Sequence, residues 1–121
     1  MIMAGKGLFI VMSKISPDKE EEFNRWYNEV HLPYALERLP MLSGRRYKIK
    51  DERTLLEGGK VKIEEPEYQY MAVYEFESYE IMQEALNSGK LGESVKEYNE
   101  KFGDGGRHHI RGVEIKSLFV G

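Results

Sequence analysis

The most informative segment of the sequence is Glu22-Phe23-Asn24-Arg25-Trp26-Tyr27-Asn28-Glu29-Val30-His31-Leu32-Pro33-Tyr34. Five of its apolar residues fall at steps of three and four and therefore share one face of a helix: Phe23, Trp26, Tyr27, Val30 and Tyr34. Pro33 cannot donate a backbone hydrogen bond, and it biases Leu32 away from helical dihedrals. The sequence therefore predicts that the helix bends or ends at His31, which makes this histidine the best candidate for a titratable group in a pocket.

The segments next to this helix predict how it begins and what precedes it. Residues 7–12 are a continuous apolar run, which predicts a first strand that needs cover on both faces. Ser16 supplies a capping hydroxyl for the helix, Pro17 suits its first position, and Asp18 lies near the positive end of its dipole. The helix is expected to run to about His31, with a further turn or two over residues 33–39.

Three more strands and a second helix are expected beyond this point. The strands cover residues 43–50, 68–76 and 108–120, the last of them after a flexible glycine-rich segment, 103–106. Ser78 is expected to cap the second helix, whose apolar residues keep helical spacing on both sides of Gly89: Ile81, Met82, Ala85, Leu86, Val95, Tyr98 and Phe102. The order β-α-β-β-α-β predicts an α+β, ferredoxin-like fold, in which a four-stranded antiparallel sheet carries both helices on one face.

The length of 121 residues indicates a single domain, residues 1–121. Residues 51–67 form a charged, hairpin-like insert, in which Gly58-Gly59 suits a tight turn. The flanking segments 54–56 and 61–63 are expected to extend the neighbouring strands as a ribbon.

Composition excludes several classes of protein. A net charge of −3 argues against nucleic acid as the main partner, because phosphate binding needs a basic face. Disulfide and thiolate chemistry are excluded because the chain has no cysteine. The apolar run 8–12 is too short for a signal sequence or a membrane span, so the expectation is a cytoplasmic protein without a membrane partner.

The apolar pattern of the strands predicts that a partner covers the second face of the sheet. The first and third strands are apolar on both sides, and large exposed apolar patches are uncommon on soluble monomers. We therefore expect a homodimer in which two sheets pack face to face. A pocket would then lie between each sheet and its helices, or inside the shared barrel.

Three motifs resemble the EthD-like branch of the dimeric α/β-barrel superfamily: Trp26-Tyr27-x-x-Val30-His31-x-Pro33, Gly44-Arg45, and Tyr74-Glu75-Phe76-x-Ser78. The resemblance covers nearly the whole chain, and the insert 51–67 departs from the family pattern. It implies a ferredoxin-like protomer that pairs into a β-barrel. Members of the superfamily include cofactor-free polyketide cyclases, dehydratases and decarboxylases, muconolactone isomerases, quinol-forming monooxygenases and haem-degrading enzymes. In such enzymes a histidine is often the acid–base residue, and the corresponding residue here is His31.

The candidate catalytic residues are His31 and Tyr27. An ordinary histidine pKa of about 6.5 would let His31 both take and give a proton near neutrality. The alternative is a structural histidine that bonds to backbone carbonyls at the helix end. The hydroxyl of Tyr27 would hold an oxygen of an aromatic ligand and stabilise an enolate, the alternative being ordinary packing.

The candidate substrate-binding residues are Tyr34, Arg45, Tyr47, Tyr70, Glu75, His108 and His109. Only one of the neighbours Arg45 and Arg46 can point inward, where it would bind a carboxylate in a bidentate fork. His108 and His109 face opposite sides of a strand, so at most one of them enters a given pocket. A candidate bulge at Gly112 leaves open which one it is.

Glu75 interrupts an apolar alternation, and two interpretations stay open for it. It is either an edge charge that faces water or a buried acid with a raised pKa.

No metal and no cofactor are expected. The chain has no His-x-His or Glu-x-x-His spacing, and adjacent strand histidines do not converge on one ion. A phosphate-binding glycine loop and a Gly-x-Ser-x-Gly nucleophile motif are also absent from the sequence.

These observations lead to three functional hypotheses. The first is a cofactor-free lyase, cyclase or isomerase that acts on a small aromatic or polyketide-like carbonyl compound, with His31 as acid or base. The second is a cofactor-independent monooxygenase of phenolic substrates. The third is a protein that binds a small ligand without catalysis.

Overall fold

A computed structural model of the chain describes residues 5–103 and 106–119. Four strands form one antiparallel sheet: β1 (Gly7–Ser13), β2 (Met41–Lys48), β5 (Tyr70–Phe76) and β6 (Arg107–Val113). Their order in the sheet is β2-β5-β1-β6. Two short strands, β3 (Glu52–Leu55) and β4 (Val61–Glu64), form a separate two-stranded sheet. The predicted ferredoxin-like α+β fold is confirmed.

The helical segments follow the first and third strands of the large sheet. The first region comprises a 3₁₀ turn (Pro17–Lys19), α1 (Glu20–Trp26), a π-helical turn (Tyr27–His31) and α2 (Leu32–Arg38). The second comprises α3 (Tyr79–Asn87) and α4 (Gly92–Phe102), on either side of Gly89, whose φ of 76° breaks the helix.

The π-helical turn is the structural response to Pro33. Pro33 has no N–H that could donate to the carbonyl of Glu29. The N–H of Leu32 donates to the carbonyl of Tyr27, five residues earlier, and not to the carbonyl four residues earlier as in an α-helix. Leu32 nevertheless keeps helical dihedrals (φ −61°, ψ −50°), so the expected bias away from the helix is overridden. The helix therefore continues through Arg38, in agreement with the further turns that were expected over residues 33–39.

The extra residue in the π turn also shifts the buried face of the helix. A single face from Phe23 to Tyr34 was expected, but Val30 is 46% exposed. Because a π turn takes one more residue than an α turn, the residues beyond Tyr27 rotate by about one position. His31 consequently turns towards the interior, where an uninterrupted α-helix would have placed Val30.

The two predicted helix caps have different outcomes. The hydroxyl of Ser78 accepts a hydrogen bond from the Ile81 N–H at 3.1 Å, which confirms this cap. Ser16 makes no side-chain cap bond, because the first turn is a 3₁₀ turn in which the Ser16 carbonyl accepts from the Lys19 N–H at 3.0 Å.

The insert forms a hairpin but does not extend the neighbouring strands. Gly58 and Gly59 have φ of 78° and 79°, as the tight turn requires. The residues of β3 and β4 are exposed on both faces, so no buried face ties the hairpin to the main sheet. The expectation of a continuous ribbon was wrong.

The last strand is shorter and more regular than expected. It ends at Val113, and its register against β1 runs without interruption from Ser13–Arg107 to Gly7–Val113, so the bulge proposed at Gly112 is absent. Beyond it, Ile115, Leu118 and Phe119 are exposed. Val120 of the predicted strand, and Asp104 and Gly105 of the segment 103–106, lie outside the described residues.

The two faces of the sheet have different surroundings. The helix-side face is buried and contributes Phe9, Val11, Tyr70, Ala72, Tyr74 and Phe76 to the core. The opposite face carries Leu8, Ile10, Met12, Met71 and Val73, all partly exposed in the protomer. We call this second surface the open face of the sheet. Its apolar character agrees with the expectation of strands that are apolar on both sides.

Candidate active site

A cavity of about 170 Å³ lies between the helix-side face of the sheet and the helices. Its apolar wall consists of Phe9, Val11, Met41, Leu86, Leu91 and Val95. Its polar side chains are Tyr27, His31, Tyr74, Tyr98, Arg107, His109 and Arg111. A cavity of about 150 Å³ is enough for one benzene ring, so this one matches a small aromatic ligand in size and polarity.

His31 is held in this cavity by two aromatic rings and by a contact at one nitrogen. Its ring stacks on Trp26 with centroids 5.1 Å apart and meets Tyr27 edge-on at 4.8 Å. Its Nδ1 lies 2.5 Å from the Oγ of Ser94, on α4. The structure therefore gives His31 a side-chain partner in place of the backbone carbonyls of the alternative interpretation. Nε2 is the ring nitrogen available to a ligand.

The surroundings of His31 favour the neutral imidazole. Burial lowers the pKa of His31 to about 4, and the positive charges of Arg107 and Arg46 act in the same direction. The carboxylate of Glu97 opposes this shift in the pKa of His31. At neutral pH the ring is therefore uncharged, and one of its nitrogens is a proton acceptor.

Trp26 supports this arrangement from the core. The side chain is only 5% exposed and belongs to the core. Its Nε1–H donates to the Oε1 of Glu97 at 2.7 Å, which fixes the indole against the ring of His31.

A pair of buried tyrosines contributes hydroxyl groups to the cavity. The hydroxyls of Tyr27 and Tyr74 lie 3.1 Å apart. Burial raises the pKa of Tyr27 to about 12 and raises that of Tyr74 well above its ordinary value. Both groups stay protonated, and because one O–H serves the bond between them, the other O–H remains a donor for a ligand oxygen.

The inward arginine of β2 is Arg46, and not Arg45 as expected. Arg46 pairs with Ala72 on the helix-side face, and its guanidinium lies 4.5 Å from the ring centroid of Tyr27. It donates to the Oδ1 atoms of Asn28 and Asn24 at 2.7 and 2.9 Å. Successive residues of a strand point to opposite faces, so Arg45 lies on the open face of the sheet.

Four of the predicted substrate-binding residues lie on the open face, outside the cavity: Arg45, Tyr47, Glu75 and His108. Arg45 is exposed and Tyr47 is 45% exposed. Glu75 forms an ion pair with Lys6 at 3.1 Å on the central strand β5, so it is neither an edge charge nor a deeply buried acid. The ring of His108 packs near that of Tyr68.

The other three predicted residues lie on the helix side of the protomer. Tyr34 lies outside the cavity, with the guanidinium of Arg38 over its ring at 3.7 Å. Tyr70 is buried beside Arg46, where its hydroxyl bonds to Asn24 and Glu20. His109 lines the cavity and meets Phe9 edge-on at 5.3 Å, so it is the inward histidine of the adjacent pair.

Sequence reasoning assigned no role in the site to five residues: Tyr74, Tyr98, Arg107 and Arg111, which line the cavity, and Ser94, which contacts His31. The alternation of Arg107, His109 and Arg111 was a usable signal, because residues two apart on a strand share a face. For Ser94 no local signal exists, since it meets His31 only through the tertiary fold.

The described residues contain no group of three or more His, Asp and Glu side chains that could hold a metal ion. Within residues 5–103 and 106–119, every helix is too short or too polar to span a bilayer.

The fold and the site together define an α+β protomer with a histidine in an aromatic cavity. The family model of the EthD domain matches residues 17–106, and the chain belongs to the EthD family. Among proteins with curated descriptions, none matches the chain in sequence.

Solved structures with the same fold include three from different organisms. An EthD family protein of Bacillus halodurans superposes with a TM-score of 0.66 at 15% identity, over 91% of this chain and 99% of that chain. A dimeric ferredoxin-like protein from an uncultured marine organism gives a TM-score of 0.59 at 18% identity, over 98% of this chain and 94% of that chain. A monooxygenase of Streptomyces coelicolor in complex with nanaomycin D gives 0.55 at 8% identity, over 98% and 94%. At these identities the likeness extends to the fold alone.

Proposed function

We propose that the protein is a cofactor-free enzyme that moves a proton on a small aromatic or polyketide-like carbonyl compound, in a lyase, cyclase or isomerase reaction. The observation that carries this proposal is the position of His31, which Ser94 and Trp26 hold in a cavity that matches one aromatic ring in size.

In this proposal His31 takes a proton from a carbon or oxygen of the substrate. A base whose pKa is about 4 is weak in the empty cavity. Removal of the proton, however, produces an enolate next to the imidazolium. The attraction between these opposite charges is strong in a cavity with little water, and it stabilises the ion pair. The reaction is completed when the imidazolium returns the proton to another atom of the substrate.

The enolate oxygen would accept a hydrogen bond from the tyrosine pair. Tyr27 and Tyr74 retain one O–H beyond the bond that joins them. Because both pKa values are raised, these hydroxyls donate without losing their protons to a nearby base. Tyr74 serves with Tyr27 in this role, whereas Tyr47 and Tyr70, which were expected to bind the substrate, do not line the cavity.

Proton exchange in D₂O tests the proposal directly. We expect the protein to accelerate deuteration of the methyl group of acetophenone or of a related aryl ketone, followed by NMR, without added cofactor and equally in the presence of EDTA. If no aryl ketone of such a panel exchanges faster with the protein than without it, the proton-transfer proposal is wrong. Tight binding without exchange would favour the non-catalytic hypothesis.

The similarity to the Streptomyces monooxygenase keeps oxygenation as a second candidate function. The same cavity would deprotonate a phenol through His31 and let the phenolate meet dioxygen. Consumption of oxygen with a quinol substrate, and its loss under anaerobic conditions, would favour oxygenation over the proton-transfer reaction.

We also propose that two copies of the chain pair through the open face of the sheet. Its side chains Leu8, Ile10, Met12, Met71 and Val73 are only partly covered in the protomer. A further two, Tyr47 and Ile110, are 45% and 40% exposed. Burial of apolar area is the main driving force for such association, and a similar fold is described as dimeric in the protein from the marine organism.

Sedimentation equilibrium is expected to give twice the protomer mass of 14.1 kDa. Val73→Lys, which places a charge on the open face, is expected to shift the protein towards the protomer mass. Val61→Lys makes the same change on the separate hairpin and is expected to leave the mass unchanged. A wild-type protein that sediments at 14.1 kDa would contradict the pairing.

A further inference from the structure

The cavity has a charge opposite to that of the whole chain. Apart from tyrosines, the ionisable side chains that line it are His31, Arg107, His109 and Arg111, and no carboxylate is among the described residues of its wall. The chain as a whole carries a net charge of −3. The positive character of the cavity is therefore local.

Three of these groups come from one face of β6. Arg107, His109 and Arg111 pair with Ser13, Val11 and Phe9 of β1, whose side chains face the helices. Because β6 is an edge strand, this row of side chains forms one border of the cavity. The two arginines are the outer members of the row and His109 is the middle one.

Neutral groups hold both arginines in place. The Nη2 of Arg107 donates to the Oδ1 of Asn99 at 2.6 Å, and the Nη1 of Arg111 donates to the Oε1 of Gln83 at 2.6 Å. Among the described residues, the ion pairs of the chain involve other cations, and neither arginine pairs with a carboxylate. An amide oxygen orients a guanidinium without neutralising it, so donors of both arginines remain for an anion.

We propose that Arg107 and Arg111 make this cavity selective for an aromatic carboxylate, whose ring fills the apolar part and whose carboxylate binds at the β6 border. The proposal rests on the proposed function, because it names the class of compound that the same cavity takes. A carboxylate is favoured because its two oxygens match the planar fork of a guanidinium.

Arg107 is the more buried of the two arginines. The guanidinium of Arg107 lies 4.2 Å from the ring centroid of Tyr98, and the side chain is only partly exposed, whereas Arg111 is exposed. Arg107 thus binds the carboxylate beside His31, and Arg111 attracts the anion to the entrance.

The same positive charge lowers the pKa values of the two histidines of the cavity, in addition to the effect of burial. After burial, Arg107 is the largest cause of the lowered pKa of His31, and Arg107 and Arg111 contribute to the lowered pKa of His109. A bound carboxylate would cancel part of this positive charge and raise the pKa of His31. The substrate would thereby strengthen the base that acts on it.

Benzoate and benzamide test the proposal, because both carry a phenyl ring and have nearly the same shape, whereas only benzoate is charged. Binding is measured by titration of the fluorescence of Trp26, the only tryptophan, which stacks on His31. We expect benzoate to bind at least about tenfold more tightly than benzamide at low salt, with a preference that weakens as salt is added. We also expect bound benzoate to raise the pKa of His31 in an NMR titration.

Substitutions then assign the preference to the two arginines. Arg107→Gln is expected to abolish the preference for benzoate, and Arg111→Gln to reduce it about threefold together with its dependence on salt. Arg107→Lys keeps the charge and is expected to keep part of the preference even if Arg107→Gln folds poorly. Arg25→Gln removes the same charge from the exposed side of α1 and is the matched control.

The outcomes separate this inference from the proposed function. Equal binding of benzoate and benzamide would overturn the carboxylate site and leave the proton-transfer proposal standing. A preference that survives in Arg107→Gln and Arg111→Gln as it does in Arg25→Gln would also overturn it. If neither compound binds while an aryl ketone still exchanges its protons, the carboxylate site alone is wrong. If neither compound binds and no ketone exchanges, the proposed function is wrong as well.

Discussion

His31→Ala is expected to lower kcat/KM for the proton-transfer reaction by about 10²- to 10⁴-fold, the range that a positioned acid or base contributes. The physical reason is that the tyrosine hydroxyls of the cavity keep their protons and its arginines are donors only, so the other base among the described lining residues is His109, on the edge strand β6. The measurement is the rate of solvent deuterium incorporation at saturating and at low substrate.

The pH profile of the wild-type enzyme provides a second measure of the same role. His31 must be neutral to accept a proton, and its pKa of about 4 in the free protein makes it neutral from about pH 5 upwards. We therefore expect kcat/KM to stay level across neutral pH and to fall as the pH is lowered through about 4. An unshifted imidazole would give a fall near pH 6.5.

Two controls distinguish proton transfer by His31 from a structural role. His108→Ala removes the same side chain from the open face, and is expected to leave the rate unchanged. Added imidazole is expected to restore part of the rate of His31→Ala, because the truncated side chain leaves room for a free base. Full activity of a correctly folded His31→Ala protein would remove this residue from the mechanism.

Phe23→Ala is expected to destabilise the protein by about 3–5 kcal/mol, the usual cost of removing a buried phenylalanine ring. Phe23 has no exposed surface. Its ring meets those of Tyr27, Tyr98 and Phe102 edge-on, with centroids 5.5, 6.1 and 5.4 Å apart. Its loss leaves a cavity at the junction of the first helix, α4 and the sheet, because these three elements cannot all move far enough to fill the volume of the missing ring.

Urea unfolding at a fixed protein concentration measures this effect on the free energy of unfolding, since pairing of two copies would make stability depend on concentration. Phe119→Ala is the matched control, because Phe119 is 90% exposed, and we expect it to change stability by less than about 0.5 kcal/mol. A cost below about 1 kcal/mol for Phe23→Ala would show that the aromatic cluster repacks and does not hold the helix on the sheet.

The fold was largely predictable from the sequence because its signals are local. The run 7–12, the spacing of Phe23, Trp26 and Tyr27, and the cap at Ser78 each specify one element through a period or a turn that nearby residues alone determine. Pro33 likewise indicated an irregularity of the helix at His31. That it becomes a π turn, which rotates His31 inward, depends on packing against α4 and the sheet.

The site was less predictable because it depends on which way each strand faces. Both faces of β1, β2 and β5 carry apolar side chains, so hydrophobic alternation did not decide which of Arg45 and Arg46 points inward. The bulge assumed at Gly112 left His108 and His109 undecided, and the uninterrupted register with β1 decides for His109. In both cases the pairing with a distant strand, and not the local sequence, determines the direction of the side chain.

By itself, then, the sequence determined the order of elements, the ferredoxin-like class and the importance of the segment around His31, since periodicity and turn chemistry act over a few residues. The tertiary structure alone decided what surrounds His31. Ser94 is 63 residues away in the chain and Arg107 belongs to the last strand, yet both help to set the state of its imidazole. Electrostatic and hydrogen-bonding effects depend on distance in space, which the chain acquires only when α4 and β6 close over the first helix.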